Sequence, residues 1–152
     1  AGLLNGEMAA AYVQPEARPA MEEVMRAAGC SPDDAIASGQ LLWLDPAYAR
    51  SRYGTGTREE VSAFYGELCR RAEDGGWACL RFLGQGDLIV AEAGWDRLLA
   101  IEHMVTEVTL TLPMIVLCEY GFIPEPDMRA RLVAAHPFVL LSACNWVESS
   151  RV

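Results

Sequence analysis

Short, unbroken apolar runs alternate along this chain with segments of helical periodicity, and that alternation admits few folds. The runs are Met8-Ala9-Ala10-Ala11-Tyr12-Val13, Gln40-Leu41-Leu42-Trp43-Leu44, Cys79-Leu80-Arg81-Phe82-Leu83, Met114-Ile115-Val116-Leu117-Cys118 and Phe138-Val139-Leu140-Leu141-Ser142. A strand covered on one face alternates apolar and polar residues, whereas a strand covered on both reads as a continuous apolar stretch. Between the runs, Met21, Val24, Met25 and Ala28 recur at helical spacing, and Gly29 stands where a helix would stop. Thr57-Arg58-Glu59-Glu60 is a capping box that opens a helix with Val61, Phe64, Tyr65, Leu68 and Ala72 on one face. Leu98, Ile101, Val105 and Val108 mark a helix over residues 96–109, and a shorter one is expected over 126–135. The pattern predicts an α/β fold of three layers: a mostly parallel open sheet with helices on both faces.

At 152 residues, 52% of them apolar, the chain fits one domain around one sizeable core. Its net charge of -9 disfavours direct contact with nucleic acid or with an anionic membrane surface. The longest apolar stretch, around Leu110 to Cys118, is too short and too rich in threonine to span a bilayer. A soluble, cytoplasmic protein is therefore expected. Five cysteines, odd in number and with no CxxC spacing, are expected to be reduced and mostly buried rather than disulfide-bonded or zinc-clustered. The chain has no lysine, which excludes a P-loop within it.

An open α/β sheet binds ligands beyond the carboxyl ends of its strands. Here those positions are Gln14 to Glu16, Asp45, Gly84 to Asp87, and Cys118 to Tyr120. Gly84-Gln85-Gly86-Asp87 reads as a turn, not a phosphate loop. Arg81 lies inside an apolar strand, where an unpaired charge is costly, and Glu102 on the inner face of the next helix is the partner expected for it. His103 and Glu107, one helical turn apart, have the spacing of a metal edge, but a surface or packing role is the default. Cys118 and His136 would need to meet in space to act as nucleophile and base; His136-Pro137 more simply shapes the turn after the last helix. Tyr120, Trp95 and Tyr48 are the aromatic residues expected near the strand ends, where they would line an apolar pocket.

Gly2-Leu3-Leu4-Asn5-Gly6-Glu7 ahead of a strand, Arg81 followed by Gly84, Glu102-His103, Cys118-Glu119-Tyr120 and His136-Pro137 form an ordered set that resembles the MEDS sensory domains of methanogen and methylotroph regulators. The resemblance covers nearly the whole chain, and its order and spacing carry it rather than any one motif. It implies a degenerate relative of the RecA/KaiC ATPases, with residues 1–152 forming one sensory domain that lacks its N-terminal strand and first helix. The run ending in Cys118-Glu119 stands where an ATPase strand would end in aspartate. Two departures from the family pattern stand out: a histidine-containing N-terminal segment is absent, and Gln85 or Asp87 replaces a glutamate after the glycine.

The function implied is a non-catalytic sensor of a small, hydrocarbon-like ligand, coupled to a fused or partner output in transcription or signal transduction. No cofactor and no metal are expected, and a homodimer is. The ligand-binding set is then Arg81, Glu102, Trp95, Cys118, Tyr120, Asp45 and Glu16, with His103 and His136 structural. A protein-interaction module without a small ligand, and a KaiC-like nucleotide-binding domain, are the competing readings.

Overall fold

The computed structural model describes residues 2–47, 56–121, 123, 126–142 and 145–148, the last two stretches by backbone alone from residue 139 onward. The element order is β1 (Met8–Tyr12), α1 (Arg18–Ala27), α2 (Pro32–Ala37), β2 (Leu41–Leu44), α3 (Arg58–Asp74), β3 (Leu80–Gln85), α4 (Gly86–Ala93), α5 (Trp95–Thr109), β4 (Met114–Glu119), α6 (Pro126–Ala135), β5 (Phe138–Ser142) and β6 (Asn145–Glu148). The first four strands make one parallel sheet in the order β2-β1-β3-β4. This is the α/β architecture that the alternating pattern predicts. The fifth apolar run is a strand too, but it pairs antiparallel with β6 in a separate two-stranded sheet. Tyr48, expected near a strand end, lies outside the described residues.

Strand alternation sorts the side chains into two layers. Met8, Ala10 and Tyr12 align with Leu80, Phe82 and Gly84, and these with Met114, Val116 and Cys118. This face carries the main core, where α3 contributes Val61, Phe64, Tyr65 and Leu68 and α5 contributes Ile101, Val105 and Val108. Phe64, Tyr65 and Phe82 meet edge to face, with centroids 5.1 to 6.0 Å apart. Helix α3 begins with the complete capping box. Thr57 Oγ1 accepts from the Glu60 N–H at 3.2 Å, and Glu60 Oε2 accepts from the Thr57 N–H at 3.0 Å.

On the other face, α1 and α2 pack beside β2. The Arg18 guanidinium donates to the Leu44 carbonyl at 3.1 Å and lies 5.8 Å from the Trp43 ring centre. Toward β4 that face is thinly covered: Leu83 and Leu117 are half-buried and Ile115 is exposed.

Two helices were not evident in the sequence. Pro32–Ala37 is a short helix capped by Ser31, whose hydroxyl accepts from the Asp34 N–H. Gly86–Ala93 follows β3 without a loop, so Gly84-Gln85-Gly86-Asp87 is a strand-to-helix junction rather than a free turn. Gly94, at φ 80°, then breaks the chain between α4 and α5, a backbone state that residues with a Cβ rarely adopt.

Among the described residues, no helix is long and apolar enough to cross a membrane.

Candidate functional site

Strand β4 ends on the covered face with Cys118, and the chain leaves it through Tyr120. Helix α5 crosses that strand and presents Glu102 toward it. Helix α6 ends just before His136. Three separate elements thus deliver one cluster. Cys118 Sγ–H donates to Glu102 Oε2 at 3.2 Å, His136 Nε2 lies 3.2 Å from the same oxygen, and the Tyr120 hydroxyl lies 3.3 Å from His136 Nε2. The other ring nitrogen, Nδ1, donates to the Leu132 carbonyl at 2.7 Å and fixes the imidazole against α6. Glu102 is only 4% exposed, the sole charged residue among the buried positions described.

The cluster has an apolar flank. Trp95, Leu98, Leu132, Ile123 and Met128 pack with the Tyr120 ring in a second apolar group beside the main core. Gly86 makes room for that ring: a Cβ there would stand 2.5 Å from Tyr120 Cε1. Asp87 anchors the chain just beyond the tyrosine by accepting from the Gly121 N–H at 2.8 Å.

The electrostatics follow from burial around one carboxylate. Burial, then the charge of Glu102, raises the Cys118 thiol well above its ordinary range. Burial and Glu102 do the same to the Tyr120 hydroxyl. At His136, burial disfavours the imidazolium, but the hydrogen bond and charge of Glu102, helped by the Leu132 carbonyl, outweigh it and raise the ring's pKa. A thiol held protonated is a hydrogen-bond donor, not a nucleophile in waiting.

The expected site residues thus divide. Glu102, Cys118 and Tyr120 come together, and Trp95 joins them through the apolar flank. His136, expected to be structural, belongs to the cluster. Arg81 does not pair with Glu102. It is the second residue of β3, aligned with Ala9 and Ile115 on the face opposite Phe82, and its Nε donates to Glu7 Oε2 at 2.6 Å. One residue of strand register separates the two faces, so Arg81 cannot reach a group buried against Phe82's side of the sheet. That bond holds the Glu7 carboxyl below its ordinary range. Asp45 accepts from the Ala47 N–H at 2.6 Å in the turn after β2, and Glu16 is exposed in a single 3-10 turn after β1. Neither is part of the Glu102 cluster. His103 is exposed on α5, and Glu107 reaches Arg58 at 3.5 Å across to α3. Gln85, beyond the glycine of β3, ties the sheet's crest together: its Oε1 accepts from the Gln14 N–H at 2.7 Å and its Nε2 donates to Glu119 at 3.4 Å.

Residues 1–137 match the family model described as MEDS, the methanogen/methylotroph, DcmR sensory domain. No curated protein matches the chain. The match covers the whole parallel sheet, its helices and every residue of the Glu102 cluster, and the chain belongs to the MEDS family of sensory domains.

Proposed function

We propose that this domain is a non-catalytic sensor that binds a small, hydrocarbon-like ligand at the carboxyl end of β4 and signals to a fused or partner output in transcription or signal transduction. The observation that carries this reading is the Glu102–Cys118–His136–Tyr120 cluster beside the apolar flank of Trp95, Leu98 and Met128. Such a pairing suits a ligand that is mostly apolar with one polar or polarisable point. The raised pKa of Cys118 favours recognition over covalent chemistry. Signalling fits the construction too: the cluster joins α5, β4 and the end of α6, so an occupant that shifts one helix shifts its neighbour. The parallel sheet accords with a RecA/KaiC-like ancestry. The reading includes a bacterial cytoplasmic location and a homodimer as the signalling unit.

The test is a thermal-shift screen with short hydrocarbons and halogenated hydrocarbons beside Mg-ATP, run with native mass spectrometry. A melting temperature raised by an apolar compound, and raised less in Tyr120→Phe or Trp95→Ala, is the expected result. Stabilisation by Mg-ATP alone would overturn it in favour of a nucleotide-binding domain.

A further inference from the structure

Three of the four polar groups in the cluster are metal-ligand types delivered by three different elements. Glu102 Oε2, Cys118 Sγ and His136 Nε2 all lie within 4.8 Å of one another. Because the Leu132 carbonyl can only accept, His136 Nδ1 carries a proton. In the neutral ring Nε2 is therefore a lone pair, facing a carboxylate oxygen at 3.2 Å. Two acceptors at that distance need a positive charge between them, either a proton or a cation.

We infer that Glu102, Cys118 and His136 form a site for a zinc-class divalent cation. Around a tetrahedral ion with bonds of about 2.0–2.1 Å to nitrogen and oxygen and about 2.3 Å to sulfur, ligand atoms stand roughly 3.3–3.6 Å apart. The oxygen-to-nitrogen and oxygen-to-sulfur edges are each 3.2 Å, and the nitrogen-to-sulfur edge is no longer than 4.8 Å. The mixed nitrogen, oxygen and sulfur set suits borderline-soft ions and not calcium or magnesium, which take oxygen ligands. The Leu132 carbonyl braces the imidazole from behind, as backbone carbonyls commonly do for metal-bound histidines. Charge closes as well: a divalent ion, one thiolate and one carboxylate sum to zero, so the occupied site carries no net buried charge. On binding, the Cys118 S–H bond breaks, sulfur keeps the electron pair for the metal, and the proton leaves to solvent. Any proton on His136 Nε2 leaves likewise. Three protein ligands leave a fourth position open, and the Tyr120 hydroxyl beside His136 Nε2 stands ready to hydrogen-bond its occupant.

The site shares residues with the proposed ligand site but does not depend on it, and the experiment uses metal ions alone. Chelator-stripped protein is titrated with Co2+ and, separately, with Zn2+. The expected result is one ion per chain and a thiolate-to-cobalt charge-transfer band, with Zn2+ displacing the cobalt. Cys118→Ser abolishes the band, and His136→Gln weakens binding by about 30-fold or more. Should the variants fold poorly, the wild-type protein reports instead: Zn2+ added to stripped protein releases a proton as the Cys118 thiol gives way to a thiolate. Substoichiometric cobalt, a band that survives in Cys118→Ser, or zinc binding without proton release would overturn the inference. An organic compound that still raises the melting temperature of stripped protein would then leave the sensory reading standing by itself.

Discussion

The Arg81–Glu7 bond offers a test of how the sheet's two faces divide structure from function. Breaking a fully buried ion pair on one side costs about 3–5 kcal/mol, and an exposed pair contributes about 0–1 kcal/mol. Here the Arg81 and Glu7 side chains are 29% and 15% exposed, and their contact is a short 2.6 Å charge-assisted bond. Solvent screens part of it, so a coupling of about 1–2 kcal/mol is expected. A double-mutant cycle measures it: Glu7→Gln, Arg81→Met and the double variant, each unfolded in urea near pH 7. The methionine keeps most of the apolar stem. For a chain of this size the coupling corresponds to about 2–8 °C in Tm.

The pH dependence has a definite sign. Glu7's folded pKa lies below its ordinary value of 4.5, mainly through the Arg81 hydrogen bond. Its contribution is therefore complete above about pH 4.5 and is lost as pH falls through the folded value. Since Arg81 faces away from Glu102, Arg81→Met should leave cobalt binding at the Glu102 cluster unchanged. A coupling below about 0.3 kcal/mol, or one that persists undiminished at acid pH, would refute the assignment of the pair. Weakened cobalt binding in Arg81→Met would refute the separation of the two faces.

Three further outcomes are expected. Phe82→Ala, in the three-ring cluster with Phe64 and Tyr65, should cost about 3–5 kcal/mol in urea unfolding, while Phe82→Leu costs about 1–2 kcal/mol because most of the apolar volume stays and the edge-to-face contacts go. Gly86→Ala should destabilise by about 1–3 kcal/mol by driving its methyl into the Tyr120 ring, and combining it with Tyr120→Leu should cost less than the sum of the two changes. Thr57→Ala removes the hydroxyl acceptor of the capping box and should lower stability by about 1 kcal/mol, with Thr57→Ser recovering most of it.

Much of this architecture could be read before any coordinates, because the residues that build it act locally. Thr57 and Glu60 announce a helix start through bonds within four residues. The run Met114 to Cys118 announces a strand buried on both sides by its lack of polar interruptions. Helix α4 was hidden for the same reason: Leu88-Ile89-Val90 is apolar throughout, with β-branched Ile89 and Val90, and neither period marks it. The pairing of β5 with β6, rather than with the parallel sheet, depends on long-range choices that an apolar run does not record. At the site, Glu102, Cys118 and Tyr120 were visible as polar groups at apolar or strand-end positions. Their common partner was not. Arg81 inside an apolar run points to a partner on the inner face of the next helix, yet its neighbours Leu80 and Phe82 mark the opposite parity as the core side. His136 entered the cluster through the packing of α6 on α5, which brings the Thr106 hydroxyl to the Ala135 carbonyl at 2.7 Å.

The sheet order also sets a schedule for biosynthesis. Strand β1 sits between β2 and β3, and its register with β3 joins Met8 to Leu80, 72 residues later in the chain. As a chain grows from its amino end, Met8–Tyr12 can pair with Leu41–Leu44 early but lacks its second neighbour until β3 emerges. At about 5–20 residues per second, that wait is roughly 4–14 seconds. Parallel pairings over such separations are also slow to close. Among the four strands of the parallel sheet, the most deeply buried is thus the one left half-covered longest on the ribosome. Chaperone binding to the nascent chain should concentrate on Met8–Val13.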